Sequence, residues 1–126
     1  MIDHLSFGVA DLARARSFYD VALRPLGYVR AVDMAEASGY GPPGVEAQAL
    51  PFWINGDDAV PPWSGHLCFR AANRAAVRDF HGAALAAGAR DNGAPGLRPI
   101  YHANYYAAFV VDPDGHRLEA VCHHSE

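Results

Sequence analysis

The chain's hydrophobic and polar positions fall into two similar passages. From Ile2 to Val9 they alternate. Leu5, Phe7 and Val9 form one set, and His4, Ser6 and Gly8 the other. Period-two alternation predicts a strand covered on one face. Asp11 then stands as an N-cap, and Leu12, Ala15, Tyr19, Ala22 and Leu23 recur at helical spacing. Pro25 and Gly27 end that helix. The same order returns from Gly65: a strand to Ala71, Asn73 as cap, a buried stripe of Val77, Phe80, Ala84 and Leu85, and Gly88 beyond the end.

The two passages align without a gap. His4, Leu5, Phe7, Ala10, Ala13, Arg16, Phe18, Ala22 and Leu23 repeat as His66, Leu67, Phe69, Ala72, Ala75, Arg78, Phe80, Ala84 and Leu85. Further strands are predicted near Tyr28–Met34, Glu36–Tyr40 and Ala47–Ile54. In the second half they fall at Tyr105–Val111 and His116–Cys122, joined by the turn Asp112-Pro113-Asp114-Gly115. Asp91–Ile100, rich in Gly and Pro, reads as a loop. Each half is roughly βαβββ. The first module spans about 1–56, a linker about 55–64, and the second about 65–126. The predicted fold class is α+β, and we expect the whole chain to form a single domain.

The faces of these strands carry the chemistry. Leu5 and Phe7 face the first helix, so His4 faces away from it. Leu67 and Phe69 do the same in the second copy, so His66 faces away too. On the last strand Leu118, Ala120 and Cys122 form one set, and Arg117, Glu119 and Val121 the other. Glu119 then shares the open face with both histidines. Two imidazoles and a carboxylate suit a divalent ion (Zn, Fe, Mn, Ni or Co) with positions left for water or substrate. A buried carboxylate needs a cation, and Arg117 on the same face is the alternative to a metal.

Tyr101, His102, Tyr105 and Tyr106 cluster before the penultimate strand, and Trp53 and Trp63 bracket the linker. Trp53, Tyr101, Tyr105 and Arg117 are candidates for substrate binding. His102 and Glu119 are the candidates for proton transfer, His102 because an unperturbed imidazole titrates near neutrality. His123 and His124 read as an exposed tail.

Composition narrows the classes. Of 126 residues, 51% are hydrophobic, enough for a core, and the formal net charge of -4 argues against nucleic acid or an anionic membrane as partner. All ten cationic side chains apart from histidine are arginine, so no lysine is present for Schiff-base chemistry. Cys68 and Cys122 read as two buried free thiols, with no disulfide framework. The N-terminus has no signal-peptide pattern and no run is long enough to span a bilayer, so a cytoplasmic location is expected.

The opening Ile2-Asp3-His4, Asp11-Leu12, Phe18-Tyr19, Gly65-His66, and Asp112-Pro113-Asp114-Gly115 leading to Leu118-Glu119-Ala120 resemble the glyoxalase/bleomycin-resistance/dioxygenase (vicinal-oxygen-chelate) superfamily along nearly the whole chain. The resemblance implies two βαβββ modules forming an open, cup-shaped sheet around a metal held by His4, His66 and Glu119. It implies a lyase, isomerase or dioxygenase acting on a small oxygen-chelating substrate, or a metal-free protein that sequesters an antibiotic-like molecule. It also implies a homodimer in which strands of two chains complete each cup. Glyoxalase I carries a second glutamate in its first module. That position falls near Asp57 or at Phe52 here, and neither is a glutamate. The lysine-free composition departs from the fosfomycin-resistance pattern.

Overall fold

The computed structural model describes residues 1–57, 60 and 63–126. Chain order is β1 (Leu5–Val9), α1 (Leu12–Ala22), a 3-10 turn (Arg24–Leu26), β2 (Val29–Asp33), β3 (Ala37–Gly41), a second 3-10 turn (Ala47–Ala49), β4 (Phe52–Gly56), β5 (His66–Arg70), α2 (Arg74–Ala86), β6 (Arg90–Leu97), β7 (Tyr106–Val111) and β8 (Arg117–Cys122). The strands form two four-stranded sheets with the same topology, β1-β4-β3-β2 and β5-β8-β7-β6. This is an α+β fold of two tandem βαβββ modules with open sheets.

The local signals act as their chemistry dictates. Asp11 accepts the Arg14 amide at 2.9 Å and Asn73 accepts the Ala76 amide at 2.8 Å, capping the two helices. Gly27 and Gly88 take the positive φ that ends each helical segment, 82° and 107°. Asp112 closes the β7–β8 turn, its carbonyl accepting the Gly115 amide at 3.0 Å.

Four expectations need correction. The first strand begins at Leu5, not Ile2, because its partner strand begins only at Phe52. Ala47–Ile54 is not one strand: a 3-10 turn occupies Ala47–Ala49, and the strand runs Phe52–Gly56. Arg90–Leu97 is a strand rather than a loop. It is the edge of its sheet, where Pro95 has no ladder partner to fail, and irregular pairing around Gly93 and Gly96 absorbs the glycines. Leu85 is 36% exposed, whereas its repeat partner Leu23 is buried. In the first module a 3-10 turn folds back over Leu23, and the second module has no such turn after α2. Of the linker expected at Asn55–Ser64, Asn55 and Gly56 belong to β4, and Asp58, Ala59, Pro61 and Pro62 lie outside the described residues.

Both modules turn helix-side residues into a shared apolar core, with a smaller cluster of Ala71, Val77, Ala108 and Cys122 in the second module. Phe52 of β4 meets Phe7 of β1 and Phe69 of β5 edge to face, at ring separations of 5.4 and 5.6 Å. Phe18, Phe80, Val110 and Leu118 complete this core, with Leu5 and Leu67 packed against its margin. Across the modules, His116 stacks on Phe7 at 4.1 Å and donates from Nε2 to the Gly8 carbonyl at 2.8 Å. Asp114 accepts from the Ala10 amide and from Arg14. Because the inner faces share one core, the other face of each sheet points away from it.

Candidate functional site

The open face of the second sheet gathers most of the candidate residues. Residues opposite one another across β5 and β8 include His66 with Arg117, Cys68 with Glu119, and Arg70 with Val121. Glu119 also lies opposite Phe109 of β7. Glu119 is 2% exposed, yet both of its carboxylate oxygens are engaged. His66 Nε2 lies 3.0 Å from Oε2. Tyr105 Oη donates to Oε1 at 2.6 Å. A buried carboxylate held between an imidazole and a phenol keeps a fixed direction.

The surroundings respond to that charge. The Tyr105 phenol is pushed upward, first by desolvation and then by its hydrogen bond to Glu119. The Cys68 thiol is pushed up to about 12, first by desolvation among its neighbours and then by the Glu119 charge. Cys68 is exposed, contrary to the expectation of two buried thiols, and only Cys122 is buried. The alternation of β5 already placed Cys68 on the face of His66. The high intrinsic burial of cysteine pointed the other way.

His102 and Tyr101 extend this face. The rings of Tyr101 and Tyr105 are 4.8 Å apart, and His102 packs edge-on to Tyr105 at 5.4 Å. His102 Nε2 lies 2.8 Å from His123 Nδ1. His123 is therefore part of the cluster rather than a free tail. Its imidazole is held below its usual value, first by desolvation and then by the Arg70 charge. Arg117 does not serve Glu119: its Nη1 donates to the Ser64 carbonyl at 3.1 Å. Tyr106 points to the helix side, under the Arg74 guanidinium.

His4 and Trp53 stand elsewhere, on the open face of the first sheet. His4 is exposed, with Nδ1 2.8 Å from Asp3 Oδ1. An open depression of about 350 Å³ there is lined by Asp3, His4, Ser6, Gln48 and Trp53 among others. Ser6 lies opposite Trp53, as its repeat partner Cys68 lies opposite Glu119. Trp53 is therefore the first-module counterpart of Glu119, rather than Phe52 or Asp57. Its indole, donating from Nε1 to the Leu50 carbonyl at 3.1 Å, crosses the place where Gly39 lacks a side chain. A Cβ at Gly39 would come within 3.0 Å of the ring and 2.8 Å of Leu50.

A divalent ion at these positions needs at least three converging donors. His66 and Glu119 converge and offer an imidazole and a carboxylate. Among the described residues of one chain, no three potential ligands gather. One chain brings together two of the three candidate ligands, and His4, the third, lies on the other sheet. No helix of the described residues is long and apolar enough to cross a membrane.

No family model matches the sequence, and no curated protein sequence matches it. Solved structures do. The chain is similar to a glyoxalase/bleomycin resistance protein from Albidiferax ferrireducens T118, with 28% identity over 94% of this chain and 95% of that one and a TM-score of 0.79. It is similar to a glyoxalase-related enzyme from Fulvimarina pelagi, at 19% identity, 96% and 86% coverage and a TM-score of 0.73. It is also similar to the fosfomycin resistance protein FosX from Listeria monocytogenes, at 16% identity, 96% and 91% coverage and a TM-score of 0.69. The last two speak to fold alone. With two βαβββ modules, a histidine repeated at the head of each, and an acid on the closing strand, the chain has the fold of, and is similar in structure to, proteins of the glyoxalase/bleomycin-resistance/dioxygenase (vicinal-oxygen-chelate) superfamily.

Proposed function

We propose that the protein is a divalent-metal-dependent enzyme of the lyase, isomerase or dioxygenase type. It would act on a small substrate with two adjacent oxygens, in a site built by two copies of the chain. The observation that carries this reading is Glu119, a buried carboxylate whose Oε2 is 3.0 Å from the imidazole of His66 on an open sheet face. His66 and Glu119 of one protomer would hold the ion together with His4 of its partner. When bound, such an ion polarises adjacent oxygens and stabilises an enolate or oxyanion.

The chain's own residues have separate tasks in this reading. Tyr105 holds the second oxygen of Glu119, so the carboxylate keeps its direction. In this reading His102, packed on Tyr105, would exchange a proton through Nε2, which faces His123, while Nδ1 accepts the Asn104 amide. Trp53 and Tyr101 offer flat apolar surface on which a substrate can stack. The two-chain arrangement is supported by His4 lying on the first sheet, apart from the His66–Glu119 pair of the second, with no three potential ligands gathered among the described residues of one chain.

A second reading is a metal-free module that sequesters a small molecule. One observation favours it: Trp53 occupies in the first module the place of Glu119 in the second, so half of the paired surface is aromatic rather than acidic. Elemental analysis after loading with Zn, Fe, Mn, Ni or Co separates the two. The enzyme reading expects stoichiometric metal in the wild-type protein and its loss in Glu119→Gln. Metal bound equally by both proteins, or by neither, would overturn it.

A further inference from the structure

The charge on the second sheet's open face is at odds with the charge of the chain. The protein is acidic overall, at -4. Register places Arg70, Arg90 and Arg117 on this face: Arg70 lies opposite Val121, Arg117 opposite Val111, and Val111 opposite Arg90. A fourth guanidinium, that of Arg98, stands 5.6 Å over the Phe109 ring, and Phe109 lies opposite Glu119. Glu119 is the one acid that the register of these strands puts on the face, and its oxygens are occupied by His66 and Tyr105.

These arginines differ from three of the four in the first module. Arg14, Arg16 and Arg30 are each paired with an aspartate. Among the described residues, Arg70, Arg90, Arg98 and Arg117 have no ion pair. Arg98 and Arg117 donate only to backbone carbonyls, which leaves guanidinium N–H groups free. Arg70, exposed, sits close enough to Cys68 and His123 to affect both. In a sheet, neighbouring strands are about 4.8 Å apart and next-but-one residues about 7 Å. Arg70, Arg98 and Arg117 thus surround Glu119 on three sides. Three guanidiniums against one carboxylate leave an excess of positive charge that raises the local concentration of anions, and planar guanidinium forks match oxyanions in pairs of hydrogen bonds.

We infer that the ligand of this face is a small organic anion, a carboxylate or a phosphate-type oxyanion, held by Arg70, Arg98 and Arg117 beside the His66–Glu119 pair. The inference rests on the open face being the substrate side, but not on a metal being bound. Arg70 is the central anchor, because it has no other hydrogen-bond or ion-pair partner among the described residues.

The test is calorimetric titration of the full-length, metal-stripped protein with oxalate and separately with inorganic phosphate, at constant ionic strength. Saturable binding of either probe is expected, and the better one identifies the class of oxyanion. Arg70→Gln should weaken it roughly tenfold or more, with Arg70→Lys recovering part of the loss. Arg24→Gln and Arg78→Gln, which are off this face, should leave it unchanged. Glu119→Gln should bind the anion as well as or better than wild type, since a like charge is removed, while losing metal. Absence of saturable binding by both probes overturns the inference, as does equal weakening by Arg24→Gln or Arg78→Gln. Anion binding that appears only with added metal, and vanishes in Glu119→Gln, overturns it too. A protein that binds anion but never metal would leave this inference standing and remove the metal-enzyme reading. Unfolding midpoints of each variant, compared with wild type, identify any that fails to fold.

Discussion

Tyr105 donates its phenol proton to Glu119 at 2.6 Å, on the carboxylate oxygen opposite the one that faces His66. Removing that donor leaves one oxygen of a buried carboxylate without a partner. Tyr105→Phe should cost about 1–2 kcal/mol of stability, as expected for a partly exposed hydrogen bond to a charged group. It should also loosen the direction of Glu119 and weaken metal binding roughly tenfold to a hundredfold. Urea midpoints and a competitive metal titration read the two effects. Unchanged values in both would show that Tyr105 has no hold on the carboxylate.

The shared-site arrangement makes a prediction for mixed dimers. Combining His4→Ala chains with Glu119→Ala chains should give a heterodimer with one intact site and one lacking two ligands, so about half of the wild-type metal returns. Were all three ligands drawn from one chain, every site would lack one ligand and mixing would restore nothing. Metal content is measured on heterodimers isolated by two different affinity tags and verified by mass spectrometry.

Phe7 and Phe69 occupy equivalent places in the two modules and are 5% and 6% exposed. Each truncation to alanine should cost roughly 3–5 kcal/mol in denaturant unfolding. Leu85, equivalent to the buried Leu23 but 36% exposed, should lose less than about 1 kcal/mol on the same change. A large loss at Leu85 would mean that the face of α2 is covered in solution.

Asp112 ties the modules together by accepting the Tyr19 hydroxyl proton as well as the amides of Asp114 and His116. Burial raises its carboxyl above the ordinary range despite those donors. The sign follows. A raised value in the folded state favours the protonated form there, so this stabilisation is fully present below the unfolded carboxylate value and is lost as pH rises through the folded one. Asp112→Asn cannot titrate. Relative to that variant, the wild type should lose stability across the interval between the two values, measured as urea midpoints from pH 3 to 7. Parallel curves for the two proteins would remove Asp112 as the source.

Much of the fold could be read from residue order alone, since it depends on local periodicity and caps. Asp11 and Asn73 capped the helices, alternation assigned the strand faces, and the repeat of His4 as His66 announced two modules. Alternation also sufficed to place His66 and Glu119 on one face, because side-chain direction in a strand has a period of two. The strand Arg90–Leu97 was hidden: its Gly and Pro content is tolerated only because it lies at a sheet edge, and edge position is a property of the assembled sheet. Arg98 was lost to view with it. The counterpart of Glu119 could not be found by counting either, because the two modules differ in length between strands, and only the pairing of Ser6 with Trp53 reveals it. Tertiary packing alone decided that, among the described residues of one chain, His4 does not join His66 and Glu119. Both sheets bury their apolar sides in a shared core, which leaves each candidate on the outer face of its own sheet.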